Sequence, residues 1–337
     1  MDRNAAAMLT IIVPAYNAAK VLPACLQSLL AQTTPARILI ANDGSTDDTA
    51  AIADAAAAAN PGSVRVIHLP HRGLIATRKA SISLVETEYF AFVDADDALE
   101  AAFAEEMLDA AVRHDADLVF CPYRCVYDGV ARHVSYGGEC HAFAEQLRPV
   151  RKTPDLLLGI PTFFWGKLFR TEYVRPRIDF PPEGCMPLED IPVIVPLAID
   201  MPRIAKVATP LYRYAISSDS MCRASKQELS RLVAMRTLHQ RLQAIGALPD
   251  FLPQLHALNR CHLFDQLHKL RGYCDPRHQH RVVREYFRHL DQTLPHWRPH
   301  PFHPTFYAAY WHWVVIWNAL KHLIHRYKKI HESRKKH

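Results

Sequence analysis

Tyr89-Phe90-Ala91-Phe92-Val93-Asp94-Ala95-Asp96-Asp97 is the stretch on which the fold turns. Five aromatic or small apolar residues run without a break into three carboxylates. An apolar run of this length predicts a strand buried on both faces, as in a parallel sheet covered by helices. Its acidic end places like charges at the carboxyl end of that strand, where they repel one another unless a cation lies among them. Asp94 and Asp96, two apart on an extended chain, point the same way and can share one octahedral ion. The competing reading is a solvated strand end whose acids open a turn or cap the next helix.

Working outward, the same architecture repeats. Leu9 to Val13 is a β-rich run stopped by Pro14 and followed by Tyr16-Asn17, and a helix with one apolar stripe runs from Val21 to Leu30. Arg37 to Ala41 is a second strand, ending in Asn42-Asp43-Gly44-Ser45-Thr46-Asp47. There Gly44 permits a tight turn, and Ser45, Thr46 or Asp47 can cap an Ala-rich helix over about 47–59. Val64 to Leu69 is the third strand, and a helix carrying Arg78 and Lys79 leads into the acid-tipped fourth. Three strand–helix alternations predict a mostly parallel sheet with helices on both faces, and such sheets bind ligands beyond the carboxyl ends of their strands. Tyr16, Asn17, Asp43, Ser45 and Asp96 all fall on that rim.

Neither GxGxxG nor GxxxxGK[ST] is present, so a diphosphate bound here needs a metal and basic side chains in place of a glycine cradle. Arg78 and Lys79 are candidates for that contact, or a solvated helix face. Beyond the fourth strand come a helix from Leu99 to about His114, a strand over Asp117–Cys121, and a polar loop region to about residue 152. The aromatic run Phe163–Arg170 follows. Glu189-Asp190 then precedes an apolar helix broken at Pro192 and Pro196, and a last strand ends at Leu211–Tyr214. Two acids among apolar neighbours are costly unless a site or a structural pairing uses them.

The 337 residues suffice for one large domain or two ordinary ones, and 49% hydrophobic with 22% charged residues is a globular composition. The formal charge of +6 is concentrated from Lys321 onward, where seven Lys and Arg residues face only Glu332. Eight cysteines form no CxxC and no paired metal spacing, which points to reduced, buried thiols in a cytoplasmic protein. The first residues show no signal-peptide pattern. Twenty histidines, scattered among Arg and Pro, read as surface.

From about residue 225 the pattern is helical to 295, where Pro295, Pro299, Pro301 and Pro304 mark a linker. Phe306, Tyr310, Trp313, Trp317, Leu320, Ile324 and Tyr327 then form one helical stripe over 305–337, too polar to span a membrane. Either this stripe packs on the protein's own helices or on a second copy in a homodimer, or residues 306–336 lie on an anionic membrane surface with the basic tail against lipid. The second alternative makes the protein peripheral on the inner face of the cell membrane. Nucleic-acid binding finds no reader fold to support it.

Val13-Pro14-Ala15-Tyr16-Asn17, Asn42–Asp47, Asp94–Asp97, Trp165-Gly166-Lys167-Leu168-Phe169 and Glu189-Asp190, in this order, resemble the family 2 glycosyltransferases. The resemblance implies a GT-A fold over residues 8–220, with a nucleotide-sugar half (8–100) and an acceptor half (101–220), followed by the helical region and tail. It implies inverting, metal-dependent transfer from a nucleotide-diphospho sugar, UDP-linked by family frequency, to a hydroxyl of a glycan or glycolipid acceptor at the cell surface. Carried over residue by residue, Pro14, Tyr16 and Asp43 hold the nucleoside, with Asn17 and Ser45 beside them. Arg78, Lys79 and the Asp94-Ala95-Asp96 segment meet the donor's phosphates and sugar. Asp96 and Asp94 hold Mn²⁺ or Mg²⁺, and Asp190, paired with Glu189, is the general base. Two departures stand out: Asn42 replaces an acid common in the family, and Lys79 replaces a common Asn. No QxxRW follows Glu189-Asp190, which implies one sugar per encounter and not processive synthesis. The rival from another class is a non-catalytic GT-A scaffold in a glycan-assembly complex, against which the intact acidic pairs speak.

Overall fold

The computed structural model describes residues 8–127, 130–135, 146–147, 149–181, 188–216, 228–259, 262 and 276–293. The stretch Tyr89–Phe92 is strand β4, and all four of its residues are buried. It lies inside an eight-stranded sheet of order β3-β2-β1-β4-β10-β6-β11-β9. Here β1 is Leu9–Ala15, β2 Arg37–Asn42, β3 Val64–His68, β6 Leu118–Phe120, β9 Gln146–Leu147, β10 Lys167–Arg170 and β11 Ile204–Lys206. Strands β1 to β4 run parallel, whereas β10 is antiparallel to both β4 and β6, and β9 is antiparallel to β11. The order reverses between β1 and β4, which opens a crevice at their carboxyl ends. The mixed α/β sheet with flanking helices is the expected fold class.

A second sheet, of order β5-β12-β7-β8, stands beside the first. Its strands are β5 (Ala98–Leu99), β7 (Tyr123–Tyr127), β8 (Val130–Ser135) and β12 (Tyr212–Ile216). The β7–β8 pairing is antiparallel and replaces the polar loop expected there. Through β5, this sheet is continuous in sequence with the acidic turn after β4.

The helix expected to break at two prolines is continuous from Ile191 to Asp200. Pro192 sits in the first turn, where its missing N–H would have no partner in any case. Pro196 removes the hydrogen bond that the Pro192 carbonyl would accept, and the Arg241 guanidinium donates to that carbonyl instead, at 2.6 Å. Arg241 belongs to the helix Glu228–Ala244, which with the helix Leu252–Asn259 falls in a first compact unit, residues 1–265. The described part of the second unit, residues 266–337, is the helix Pro276–Thr293, with Val282, Tyr286 and Leu290 buried. Among the described residues no helix is long and apolar enough to cross a membrane. The aromatic stripe after Pro304 and the basic tail lie outside the described residues.

Candidate active site

The acids after β4 form a tight turn, closed by the Asp97 N–H donating to the Asp94 carbonyl at 3.0 Å. Asp96 is exposed at the turn's tip, beside the half-buried Ala95, and Asp97 is buried. Facing the turn is Arg78, from the helix Leu74–Ser83, whose side chain is only 2% exposed. Its Nη2 donates to Asp94 Oδ1 at 3.3 Å, and its Nη1 donates to Glu189 Oε1 at 2.6 Å and to Asp190 Oδ1 at 3.0 Å. The guanidinium carbon lies 4.8 Å from the Phe164 ring centroid, a cation–π contact on a face closed to water. One arginine therefore joins the acidic turn to the acidic pair at the start of the helix Ile191–Asp200. Glu189 is buried, while Asp190 keeps 17% of its side chain open and Asp94 31%.

Electrostatics in this cluster are dominated by a shortage of positive charge. Among the described residues Asp94, Glu189 and Asp190 share one buried cation, Arg78, and Asp96 and Asp97 lie in the same turn as Asp94. Burial pushes the Asp190 carboxyl well above the usual Asp range and the Glu189 charge adds to this, with Arg78 opposing. Asp97 is likewise raised well above it, by burial and then by Asp94 and Asp96. Asp94 and Asp96 are raised too, both by desolvation first; Arg78 restrains Asp94, while the Asp94 charge lifts Asp96 further. On Arg78, desolvation works against the charge, but Asp190, Glu189 and Asp94 outweigh it and raise its pKa. Glu189 Oε2 and Arg78 Nε are buried without a hydrogen-bond partner among the described residues. Such a donor set favours an additional cation at its open lip.

On the β1–β2 side of the crevice, the Asp43 carboxylate is engaged by the loop after β3. It accepts from Arg72 N–H at 3.0 Å and Gly73 N–H at 2.9 Å. His71 Nδ1 lies 2.9 Å from the same carboxylate and 3.0 Å from the Asp43 carbonyl, so this nitrogen carries the proton. The His71 ring stacks on Tyr16 with centroids 4.0 Å apart, and Tyr16 is 46% exposed. Together they present an aromatic surface above Asp43.

Asn17 and Ser45 brace this wall. Asn17, in the left-handed region at φ 49°, accepts from Thr46 N–H with its side chain, and its own N–H donates to Ser45 Oγ. Pro14 is buried within β1. Lys79 is exposed on its helix and joins none of the described contacts of the acidic cluster.

Asn42 explains its own departure from the acid. Its Oδ1 accepts from Ser45 N–H at 3.1 Å while its Nδ2 lies 3.0 Å from His68 Nδ1. His68 Nε2 faces Asp54 Oδ1 at 3.0 Å, and with that nitrogen donating, Nδ1 accepts from the Asn42 amide, a donor that an ionised acid at 42 would lack. Gly44 is equally constrained: φ is +65°, and a Cβ would lie 2.7 Å from His71 N. Gly44→Ala is expected to cost at least about 1–2 kcal/mol for the left-handed backbone alone. It should also push the His71 loop away from Asp43, because the added Cβ meets the His71 backbone. Chemical unfolding measures the cost; a stability equal to wild type would show that the turn tolerates the side chain.

Sequence reasoning missed two participants. His71 carries no motif signal, and its role appears only once β3 places it over Asp43. Tyr212, in a strand already expected, donates from Oη to Asp97 Oδ2 at 2.6 Å. It comes from the neighbouring sheet, and no local spacing announces it.

Residues 10–168 match the family described as glycosyl transferase family 2. The chain is 29% identical over 252 residues to the putative glycosyltransferase EpsH of Bacillus subtilis, covering 73% of this chain and 72% of that protein. Two further glycosyltransferases, of Escherichia coli and Bacillus subtilis, are matched over only 34% of their own length. Among solved structures, S. aureus TarS residues 1–349 in complex with UDP superposes with a TM-score of 0.64 at 18% identity, over 84% of this chain and 81% of that one. The mannosyltransferase PcManGT of Pyrobaculum calidifontis, in complex with GDP-Man and Mn²⁺, gives a TM-score of 0.51 at 16% identity, over 84% and 74%. At these identities the structural likeness establishes the fold.

Proposed function

We propose a reaction for this chain from the premise that it is a glycosyltransferase, its residues 10–168 forming a domain of family 2. It moves one sugar per encounter from a nucleotide-diphospho sugar to a hydroxyl of a surface-glycan acceptor, with inversion at the anomeric carbon. The observation that carries this reading is the Arg78 bridge, which holds Asp94 of the acidic turn and Asp190 of the acidic pair on one guanidinium. A base for the acceptor and a carboxylate for the leaving group are thereby set in one frame. The UDP complexes of TarS and the GDP-Man complex of PcManGT support a nucleotide-sugar donor, and a UDP-linked one is proposed.

In this reading the nucleoside lies against the Tyr16–His71 face and beside Asp43. Asp190 takes the proton of the acceptor hydroxyl at its partly open carboxylate oxygen, a contribution typically worth about 10²–10⁴ in rate. Glu189, buried and paired to Arg78, fixes the position of its neighbour. The Arg78 guanidinium holds three carboxylates through Nη1 and Nη2, which leaves its Nε hydrogen and the second Nη2 hydrogen for a further acceptor such as the diphosphate. A single displacement needs no covalent enzyme intermediate.

Asp94 and Asp96 fit Mn²⁺ or Mg²⁺: they are hard oxygen ligands whose charges repel one another, in a turn whose tip is open. No three His, Cys, Asp or Glu side chains converge as a metal site among the described residues, so the remaining coordination positions fall to water and the donor's phosphates. When bound, the ion neutralises charge on the departing nucleoside diphosphate.

Asp96→Ala is expected to abolish transfer and to remove the dependence of donor binding on Mn²⁺. Asp94→Ala should be damaging to a lesser degree. Donor hydrolysis measured across a panel of nucleotide sugars, with Mn²⁺ and with chelator, tests both the reaction class and the donor. Normal turnover of Asp96→Ala in chelator would remove the metal from the reading. No hydrolysis or transfer with any donor would favour the scaffold role.

A further inference from the structure

We propose that Tyr212 is a positioning residue for the acidic turn, holding Asp94 and Asp96 in the geometry that receives the divalent cation. The inference rests on the metal-binding reading of those two acids. Its starting point is that one atom, Tyr212 Oη, ties both ends of the turn. At the start of the turn the Asp94 N–H donates to Oη at 3.3 Å, and at its end Oη donates to Asp97 Oδ2 at 2.6 Å. Because the phenol oxygen accepts from the amide, its single proton is free for the carboxylate, and both bonds form together. The second Asp97 oxygen accepts from Ala215 N–H at 2.7 Å. The turn is therefore fastened to β12 at three points, while its tip, Ala95-Asp96, stays open.

The anchor itself is rigid. Tyr212 is fully buried and stacks on Trp165 with centroids 4.6 Å apart and planes at 19°. Its backbone pairs with Leu99 of β5 on one side and Tyr123 of β7 on the other. Asp97 has no cationic partner among its described contacts, so its job is not an ion pair. Its carboxylate serves as the acceptor that registers the turn against the second sheet. A phenylalanine at 212 would keep the ring and the stack but leave a buried amide and a buried carboxylate oxygen each short of a partner, a loss that loosens the turn.

Tyr212→Phe tests this, with Mn²⁺ binding in the presence of UDP read from the electron paramagnetic resonance of free Mn²⁺. GDP replaces UDP if the wild-type protein retains no ion with UDP. The expected result is Mn²⁺ affinity weakened about tenfold, with turnover at saturating Mn²⁺ changed less than threefold and the melting temperature lowered by a few degrees. A Mn²⁺ constant within twofold of wild type overturns the proposal, whatever the melt shows. Asp96→Ala, run alongside, separates the two levels of the argument. If it too leaves Mn²⁺ binding unchanged, the turn does not hold the ion and the underlying reading fails. If Asp96→Ala weakens binding and Tyr212→Phe does not, only the positioning role falls. Should the melt show Tyr212→Phe unfolded at the assay temperature, the Mn²⁺ titration is run on both proteins at a lower temperature at which the melt shows the variant folded, and the same two outcomes decide.

Discussion

Asp190→Asn is expected to slow sugar transfer by about 10²–10⁴ while donor binding stays within a few-fold of wild type. Asparagine keeps the side-chain shape, and its oxygen can still accept from Arg78 Nη1 in place of Asp190 Oδ1. What it lacks is an oxygen able to take a proton. Single-turnover transfer and an equilibrium donor titration measure the two quantities separately. Weak donor binding with an unchanged single-turnover rate would move the base elsewhere. The wild-type pH profile supplies a second check. Burial raises the Asp190 pKa well above the usual Asp range. The base works only when ionised, so the rate should fall as pH drops through that raised value. An acid limb at an ordinary Asp pKa would show that the bound complex relieves the burial or that another group is titrating.

The sheet was legible because its signals are local. Tyr89–Phe92 is apolar in unbroken sequence, and each of the first three strands ends in polar or turn-forming residues that mark the rim. The acids of the site were legible for the same reason: Asp94-Ala95-Asp96 and Glu189-Asp190 are short runs with little else to explain them. What binds them together was not. Arg78 reaches Glu189 and Asp190 across 111 and 112 positions of sequence, and nothing local distinguishes a buried guanidinium from one on a solvated helix face. The helix Ile191–Asp200 survives Pro196 because a side chain 49 residues beyond Pro192 replaces the lost donor. The β7–β8 pairing had a readable signal in Asp128-Gly129 between two β-rich runs, which outweighs the polarity that suggested a loop.

Arg78→Ala is expected to destabilise the fold by about 3–5 kcal/mol and to abolish transfer. The guanidinium is the shared partner of Asp94, Glu189 and Asp190, and without it three carboxylates face one another in a desolvated pocket. The Asp94 and Asp190 pKa values, already raised in the folded protein, would then rise further above the unfolded ones. Carboxylates raised in this way cost stability where they are ionised, so the deficit should be greatest near neutral pH and shrink as pH falls and they take up protons. Denaturant unfolding of wild type and variant at several pH values measures this directly. Arg78→Lys sharpens the test, because a single ammonium keeps the charge but cannot span the positions of Nη1 and Nη2 together. It should recover part of the stability and little of the transfer rate. If Arg78 instead served only as an open contact for the donor's diphosphate, both variants would weaken donor binding and unfold like the wild type at every pH. That outcome would detach the acidic turn from the acidic pair and with it the argument that one guanidinium sets base and leaving group in a common frame.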